Sequence, residues 1–452
     1  MKMKKQFITF LTVLLVFLLS SCSNSDYLNS IPRNSTAIVE IDMGEVSGVK
    51  NKTILKALLH VTNLDESGID LGSNIFLFET VDGNLGLCAR VSDAGDLEKT
   101  FNELVKKGTC TELKERQGVR FSMMNNAWVA GFNDRALLVV GPVAISARTE
   151  MEGKLTTFLS QDEEHSIKSS PMFDKLDSIS APIAMVAQVQ ALPEKFIAPF
   201  TLGAPKDSDP SQVLIAAEMS VNDGCLDIQG TTFSFNRRIE ESLRQSAHVY
   251  RTIKGRYVDC LPEGAMMAMF MNVDGSQYID LLRRNSGFQA LLAGVNAAID
   301  MDNIIKSVDG DLAIMIPTMS DDDLRISMSA ELAHSKWLAD VSYWKQSCPE
   351  GGRITDWGPN AYSYLNGKTS FFFGVSPDNQ FYSGSSAEEA KRSIVPSKNP
   401  TSALLRTKIK EGKVVMVVNL QAFGGDEGML PTLKNLIRPV FGDVNTIVYS
   451  MK

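Results

Sequence analysis

The stretch "IAMVAQVQAL" at 183–192 returns as "VVMVVNLQAF" at 414–423, with four of ten positions identical and the other six exchanging similar side chains. Further matches follow in the same order. "IPRNSTAIVEIDM" from Ile31 parallels "LPEGAMMAMFMNV" from Leu261, and "NIFLFET" from Asn74 parallels "DLAIMIPT" from Asp311. "NLGLCARV" from Asn84 parallels "DLRISMSA" from Asp323, and "LEKTFNELVKKGTC" parallels "HSKWLADVSYWKQSC". "WVAGFNDRALLVVG" from Trp128 parallels "FFFGVSPDNQFYSG" from Phe371. The offsets lie between 230 and 243 residues, so the chain reads as an internal duplication, with copies over 31–252 and 261–452. Two copies make paired domains, because a solenoid needs at least three repeats to bury its faces.

Within a copy the hydrophobic period alternates between two and 3.6. Apolar alternation predicts strands near 36–43, 74–80, 85–91, 118–124, 127–132 and 136–140 of the first copy. Helices are predicted near 51–61 and 95–107, the second carrying Leu97, Phe101 and Leu104 on one face. Asp82-Gly83 and Asn366-Gly367 are hairpin dipeptides, expected in type I′ turns with both central residues at positive φ. Antiparallel runs interrupted by helices imply an α+β fold: two duplicated domains, each an antiparallel sheet with helices packed on one face. "RRIEESLRQSAHVYRTIK" from Arg237 is expected to be a long connecting helix docked through Leu243, Ala247 and Tyr250.

The copies end differently. The first continues past Met219 into "CLDIQGTTFSF" at 225–235, whereas the second stops at Met451 and Lys452, the matching point. The second domain is therefore expected to lack its last strand. An edge left unpaired in this way invites a strand donated by another chain, unless a loop covers it.

The N-terminus carries Lys2, Lys4 and Lys5 ahead of an apolar run from Phe7 to Leu19, which is too short to span a bilayer and reads as a secretion signal over 1–21. Leu19, Ser20, Ser21 and Cys22 resemble the lipobox of bacterial lipoproteins, which implies a lipid-modified Cys22 and a tether over 22–30. Removing the three leader lysines takes the formal charge from −8 to −11. Such a surface does not favour nucleic acid or anionic lipid, and no nucleic-acid partner is expected. The expected partners are the membrane, through lipidated Cys22, and an envelope protein.

Catalytic and metal motifs are weak. The remaining cysteines, Cys88, Cys110, Cys225, Cys260 and Cys348, are odd in number and show no C-x-x-C spacing, so they read as small buried hydrophobes. "NGKTS" at 366–370 has Tyr362 where a phosphate loop needs its first glycine. Asp321, Asp322 and Asp323 fall in a hairpin loop without the glutamate of an EF-hand. "QDEEH" at 161–165 lacks the two-histidine spacing of zinc hydrolases and reads as a polar connector. Neither G-x-S-x-G nor G-x-G-x-x-G occurs, and no metal, cofactor or catalytic residue is expected.

The densest unusual feature is aromatic. Trp357, Tyr362, Tyr364, Phe372, Phe381 and Tyr382 crowd the final hairpins of the second copy and form a candidate binding patch. Strand alternation opposes Phe371 and Phe373 to Phe372, so at least one ring must leave the face its neighbours share. Phe121, Met123 and Trp128 at the matching positions of the first copy argue for a core role instead.

The lipobox, the opening strand "IPRNSTAIVEID", the hairpin entries and the duplication together resemble the large uncharacterised envelope lipoproteins of Bacteroides-type bacteria, grouped as a domain of unknown function. Ser23, Asn24 and Ser25 follow Cys22 with no Asp beside it, which resembles lipoproteins exported to the outer membrane and leaves the periplasmic and surface faces both open, and the family resemblance carries no activity or site residues with it. The expectation is a non-catalytic envelope lipoprotein that binds a protein partner or assembles. The alternative is a surface glycan-binding lipoprotein, which would need exposed coplanar rings.

Overall fold

The computed structural model describes residues 25–46, 66–192, 194–222, 224–317, 325–367, 369–422 and 444–451. The leader and Cys22, the helix expected at 51–61, Asp321 to Asp323 and Lys368 lie outside the described residues. The chain divides into two compact units, one ending at Ala187 and the other beginning at Gln188.

The first unit contains strands β1 (Ala37–Ile41), β2 (Ile75–Glu79) and β3 (Leu85–Arg90), helix α1 (Ala94–Lys106), then β4 (Lys114–Arg116), β5 (Val119–Met124), β6 (Trp128–Phe132) and β7 (Ala136–Gly141). Helices α2 (Arg148–Ser160) and α3 (Pro171–Asp177) precede β8 (Ile183–Gln188). The strands pair antiparallel in the spatial order β8-β1-β2-β3-β7-β6-β5-β4. Asp93 caps α1 by accepting from the Asp96 amide at 2.9 Å, and Leu97, Phe101 and Leu104 are its buried face, as the periodicity predicts. Phe101 stacks on Phe132 at 5.3 Å. A Cβ placed on the neighbouring Gly131 would instead approach Leu155 of α2 at 3.2 Å. Successive strand residues point to opposite faces, so α1 and α2 cover different sides of this sheet.

The second unit begins with α4 (Glu194–Phe200), β9 (Leu214–Asn222), β10 (Cys225–Phe233), α5 (Arg237–Ala247), β11 (Tyr250–Arg251) and β12 (Met267–Asp274). It continues with α6 (Gly275–Arg284), α7 (Ser286–Asn296), α8 (Met301–Lys306), β13 (Val308–Ile316), β14 (Ser327–Leu332) and α9 (Val341–Gln346). Four strands follow: β15 (Gly352–Gly358), β16 (Ala361–Asn366), β17 (Thr369–Val375) and β18 (Gln380–Gly384). The last elements are α10 (Ala387–Arg392), α11 (Ala403–Glu411), β19 (Val414–Asn419) and β20 (Thr446–Met451).

The strand order β19-β12-β13-β14-β18-β17-β16-β15 reproduces the first unit strand for strand. Register agrees too: Val39 faces Met185 and Leu77, and its counterpart Met269 faces Met416 and Ile314. The protein is thus α+β with a duplicated sheet motif. Helices cover both faces rather than one. Met271 and Val273 of β12 join the core beneath α6 to α9, while Ala268 and Phe270 of the same strand join a core with Leu405 and Ile409 of α11.

Three expectations change. The edge expected to stand open at the end of the second copy is occupied: β20 pairs antiparallel with β19 and parallel with β10, Cys225 facing Thr446 through Gly230 facing Met451. The strand that continues the first copy therefore completes the second, and no vacancy remains at β20 for a donated strand. With it β9, β10 and α5 lie in the second unit, which begins at Gln188. The connecting helix ends at Ala247 with Ile239, Leu243 and Ser246 as its buried side. Tyr250 and Arg251 leave it to pair with Val273 and Asn272, because the strand ladder and the packing of Tyr250 on Tyr278 replace the helical bonds. At the first hairpin only Gly83 has positive φ, at 77°, and the Thr80 amide donates to Asn84 O at 2.8 Å, a wider loop than a type I′ turn.

Candidate functional site

The helical excursion between β12 and β13 builds a cavity. Asp274 caps α6 by accepting from the Ser276 amide at 2.9 Å. Gly275 is required there because a Cβ would stand 2.0 Å from Ile305 O. Tyr278, Ile279, Leu281 and Leu282 of α6 are buried, as are Met301, Ile304 and Ile305 of α8. Arg283 at the end of α6 bonds Asp302 in α8 at 2.6 Å and holds the pair together.

Helix α7 between them behaves differently. The buried Asn285 side chain caps it, accepting from the Phe288 amide at 3.2 Å and donating to Ala198 O and Thr201 Oγ1 at 3.0 and 3.1 Å. Its inward residues Phe288, Leu292 and Val295 follow i, i+4, i+7 spacing, yet each is only half-buried. They stop short of the sheet, and the gap beneath them is a cavity of about 200 Å³.

Its floor is Leu312 and Ile314 of β13, Met328 of β14 and Phe371 of β17. The lining also carries hydroxyls, from the buried Ser383 and from Thr369, Ser370 and Ser385, which reach solvent. Ser370 Oγ donates to Ser385 O at 2.9 Å, and the Ile326 amide donates to Ser385 Oγ at 3.4 Å. Among the described residues no charged side chain lines the cavity, and burial pushes the Tyr278 phenol well above its usual range, so it stays neutral. A wall of this kind binds by excluding water from hydrocarbon and offers nothing to a charged group.

The aromatic patch is split between two faces. Tyr364 and Phe381 are fully buried and Tyr382 is 8% exposed, whereas Trp357, Tyr362 and Phe372 are half-buried. Phe371, Phe373 and Tyr362 cluster on the helical face, where Phe373 also meets Trp337 at 6.3 Å. Phe372 turns to the other face, as alternation requires, and meets Trp357 at 6.0 Å with a 67° interplanar angle. Tyr382 meets the same Trp357 edge-on at 6.2 Å and 79°. Lys391 of α10 lies 5.1 Å above the Trp357 ring, and the indole N–H donates to Tyr362 O at 2.7 Å. Rings set edge to face offer no coplanar platform for a sugar, and these pack on one another around the β15–β18 hairpins.

Of the aromatic run, only Phe371 lines the cavity, and it was expected merely to point away from Phe372. Sequence reasoning missed the cavity itself. Its one local trace is "SGFQALLAGVN" at 286–296, a helix without a single charged residue.

The remaining polar candidates lie apart from the cavity lining. The five described cysteines are free thiols, and burial pushes Cys260 up to about 11 and Cys88 higher, which suppresses thiolate formation. His165 bonds exposed Asp162 at 2.6 Å. Gln161 donates to Asn29 O and Ile31 O, pinning the N-terminal segment as a connector would. Among the described residues no group of three or more His, Cys, Asp or Glu side chains could hold a metal, and no helix is long and apolar enough to cross a membrane.

A family profile described as Domain of unknown function (DUF4836) matches residues 28–448. A search of curated proteins returns no match. Among solved structures, "Structure of crystal form III of TP0453" is similar at 7% identity and a TM-score of 0.24, covering 81% of this chain and 96% of that one. "Structure of crystal form I of TP0453" is similar at 10% identity and a TM-score of 0.22, covering 82% and 96%. Likeness at this level carries no argument about what the cavity holds.

Proposed function

For a chain that belongs to the DUF4836 family, we propose a non-catalytic cell-envelope lipoprotein whose second unit binds a hydrophobic ligand. The observation that carries the reading is the cavity of about 200 Å³ beneath α7, walled by hydrocarbon and without a charged side chain among its described lining residues. Anchoring through Cys22 is supported by the lipobox Leu19-Ser20-Ser21-Cys22 and by the sequence resemblance to envelope lipoproteins of Bacteroides-type bacteria. Two or more acyl chains on Cys22 would hold the body at the outer membrane, because a single chain binds only reversibly. There an envelope protein that delivers or receives the ligand is the natural partner. The glycan alternative finds no support in the edge-to-face rings around Trp357.

The test uses full-length protein purified from its own membrane. Organic extraction followed by mass spectrometry is expected to release a stoichiometric hydrophobic species, and the N-terminal peptide is expected to begin at acylated Cys22. An extract without such a species, from protein that also takes up no apolar fluorophore, would overturn the ligand-binding reading. An unmodified N-terminal peptide would overturn the anchor.

A further inference from the structure

We propose that the cavity beneath α7 accepts one hydrocarbon chain of an amphiphile and leaves the headgroup outside, unread; this rests on the ligand-binding reading above. Size is the first argument. An apolar cavity of ~150 Å³ already stays dry and admits a benzene ring, whereas sites that enclose a whole small molecule begin at roughly 300 Å³. At about 200 Å³ this one lies between the two bounds. It suits a segment of a slim chain better than a fused ring system or a compact polar metabolite.

The wall is the second argument. Leu282, Leu292, Val295, Leu312, Ile314 and Met328 present methyl and methylene groups from four elements, and the thioether of Met328 adapts to a chain that bends. A hydrocarbon entering here would complete the burial of Phe288, Leu292 and Val295, which α7 leaves half-exposed although they are its most apolar line.

The rim is the third. Thr369, Ser370 and Ser385 stand where a chain would pass into solvent, and a Cβ on Gly294 of α7 would come within 3.6 Å of Thr369 Oγ1. The passage between α7 and β17 is therefore bounded by small and hydroxylated residues. Neutral hydroxyls tolerate an ester, a carboxylate or a phosphodiester alike, and among the described residues no lining cation or carboxylate selects among them. Recognition then lies in the chain.

The experiment displaces anilinonaphthalene sulfonate from the full-length protein with fatty acids from hexanoate to tetradecanoate, and with alkylphosphocholines of the same chain lengths, all below their micelle concentrations. The expected result is a gain of roughly fourfold in affinity per added methylene, levelling off once the chain outgrows the cavity. The two head series should agree within about threefold. Leu292→Trp, which fills the space, is expected to remove chain binding while leaving the circular dichroism spectrum and Tm unchanged. Should that variant fail to fold, a diazirine-bearing fatty acid crosslinked to the unaltered protein is expected to label peptides of α7 or β17. Uptake of the fluorophore with no dependence on chain length would overturn the single-chain assignment and leave an apolar site standing. Selectivity of tenfold or more between heads of equal chain length would overturn the unread headgroup, and labelling confined to other segments would overturn the location. Binding of neither fluorophore nor chain would instead bring down the ligand-binding reading itself.

Discussion

Asp311 shows how a single side chain organises the second unit. Its carboxylate is 2% exposed and accepts from the amides of Lys254, Gly255 and Arg256 at 2.9, 2.7 and 2.8 Å, and from Asn272 Nδ2 at 2.8 Å. Four donors compensate a buried charge that would otherwise be costly. Asp311→Ala is expected to lower stability by about 3 kcal/mol, read as a shift in the urea midpoint, because the three amides lose their acceptor together. Glu40 has the opposite balance. Burial raises its pKa, opposed by the bond from Asn74 Nδ2 at 2.6 Å, and Asp177 and Asp42 raise it further. Between the ordinary value of 4.5 and the raised one, the folded protein holds a proton that the unfolded chain has lost, so stability falls as pH rises through that window. Glu40→Gln is expected to flatten that fall and to raise the unfolding midpoint at neutral pH relative to wild type. At this scale the sequence was legible where residues repeat with a period, as Leu97, Phe101 and Leu104 do in α1. It was silent about Asp311, whose four donors come from two segments at least 39 positions away.

Among elements, the contact between α11 and β10 carries a buried ion pair. Lys408 Nζ lies 2.6 Å from Asp227 Oδ2, with side-chain exposures of 16% and 9%. Removing one partner leaves the other charge unpaired away from water. Lys408→Met is therefore expected to destabilise by roughly 3 kcal/mol, whereas Lys408→Met combined with Asp227→Leu should recover most of that loss. Comparing chemical unfolding of the two singles and the double measures the coupling; strict additivity would show that the pair contributes no mutual stabilisation. Helix α7 illustrates what a local pattern leaves out. Phe288, Leu292 and Val295 form an uncharged apolar line that turns inward. Such a line does not predict how far away the opposing sheet is, and that distance is what makes the cavity. The aromatic hairpins carry the same lesson in reverse: alternation sends Phe372 away from Phe371 and Phe373, but only the packing of Trp357 and Lys391 shows that the second face is covered as well.

In the whole molecule, the repeated strand order ends asymmetrically at β20, held between β19 and the parallel β10. Val448 faces Val417 on one side and Asp227 on the other, so a proline there removes an amide from the middle of a doubly paired strand. Val448→Pro is expected to cost at least about 3 kcal/mol in the second unit. Hydrogen exchange should show lost protection in β19, β20 and β10 while β1, β2 and β3 keep theirs; unchanged protection in β10 would contradict the parallel pairing. The sequence by itself determined the duplication, the α+β class and the antiparallel pairing inside each copy. Those properties are written in short-range periodicity and in matches that survive at nearly constant offset. Tertiary structure alone decided that β10 closes the edge of the second copy, that helices cover both sheet faces, and that a void persists beneath α7. Each depends on surfaces meeting from distant parts of the chain, and how closely they meet is set by side-chain volume and backbone direction, which no local pattern of polarity specifies.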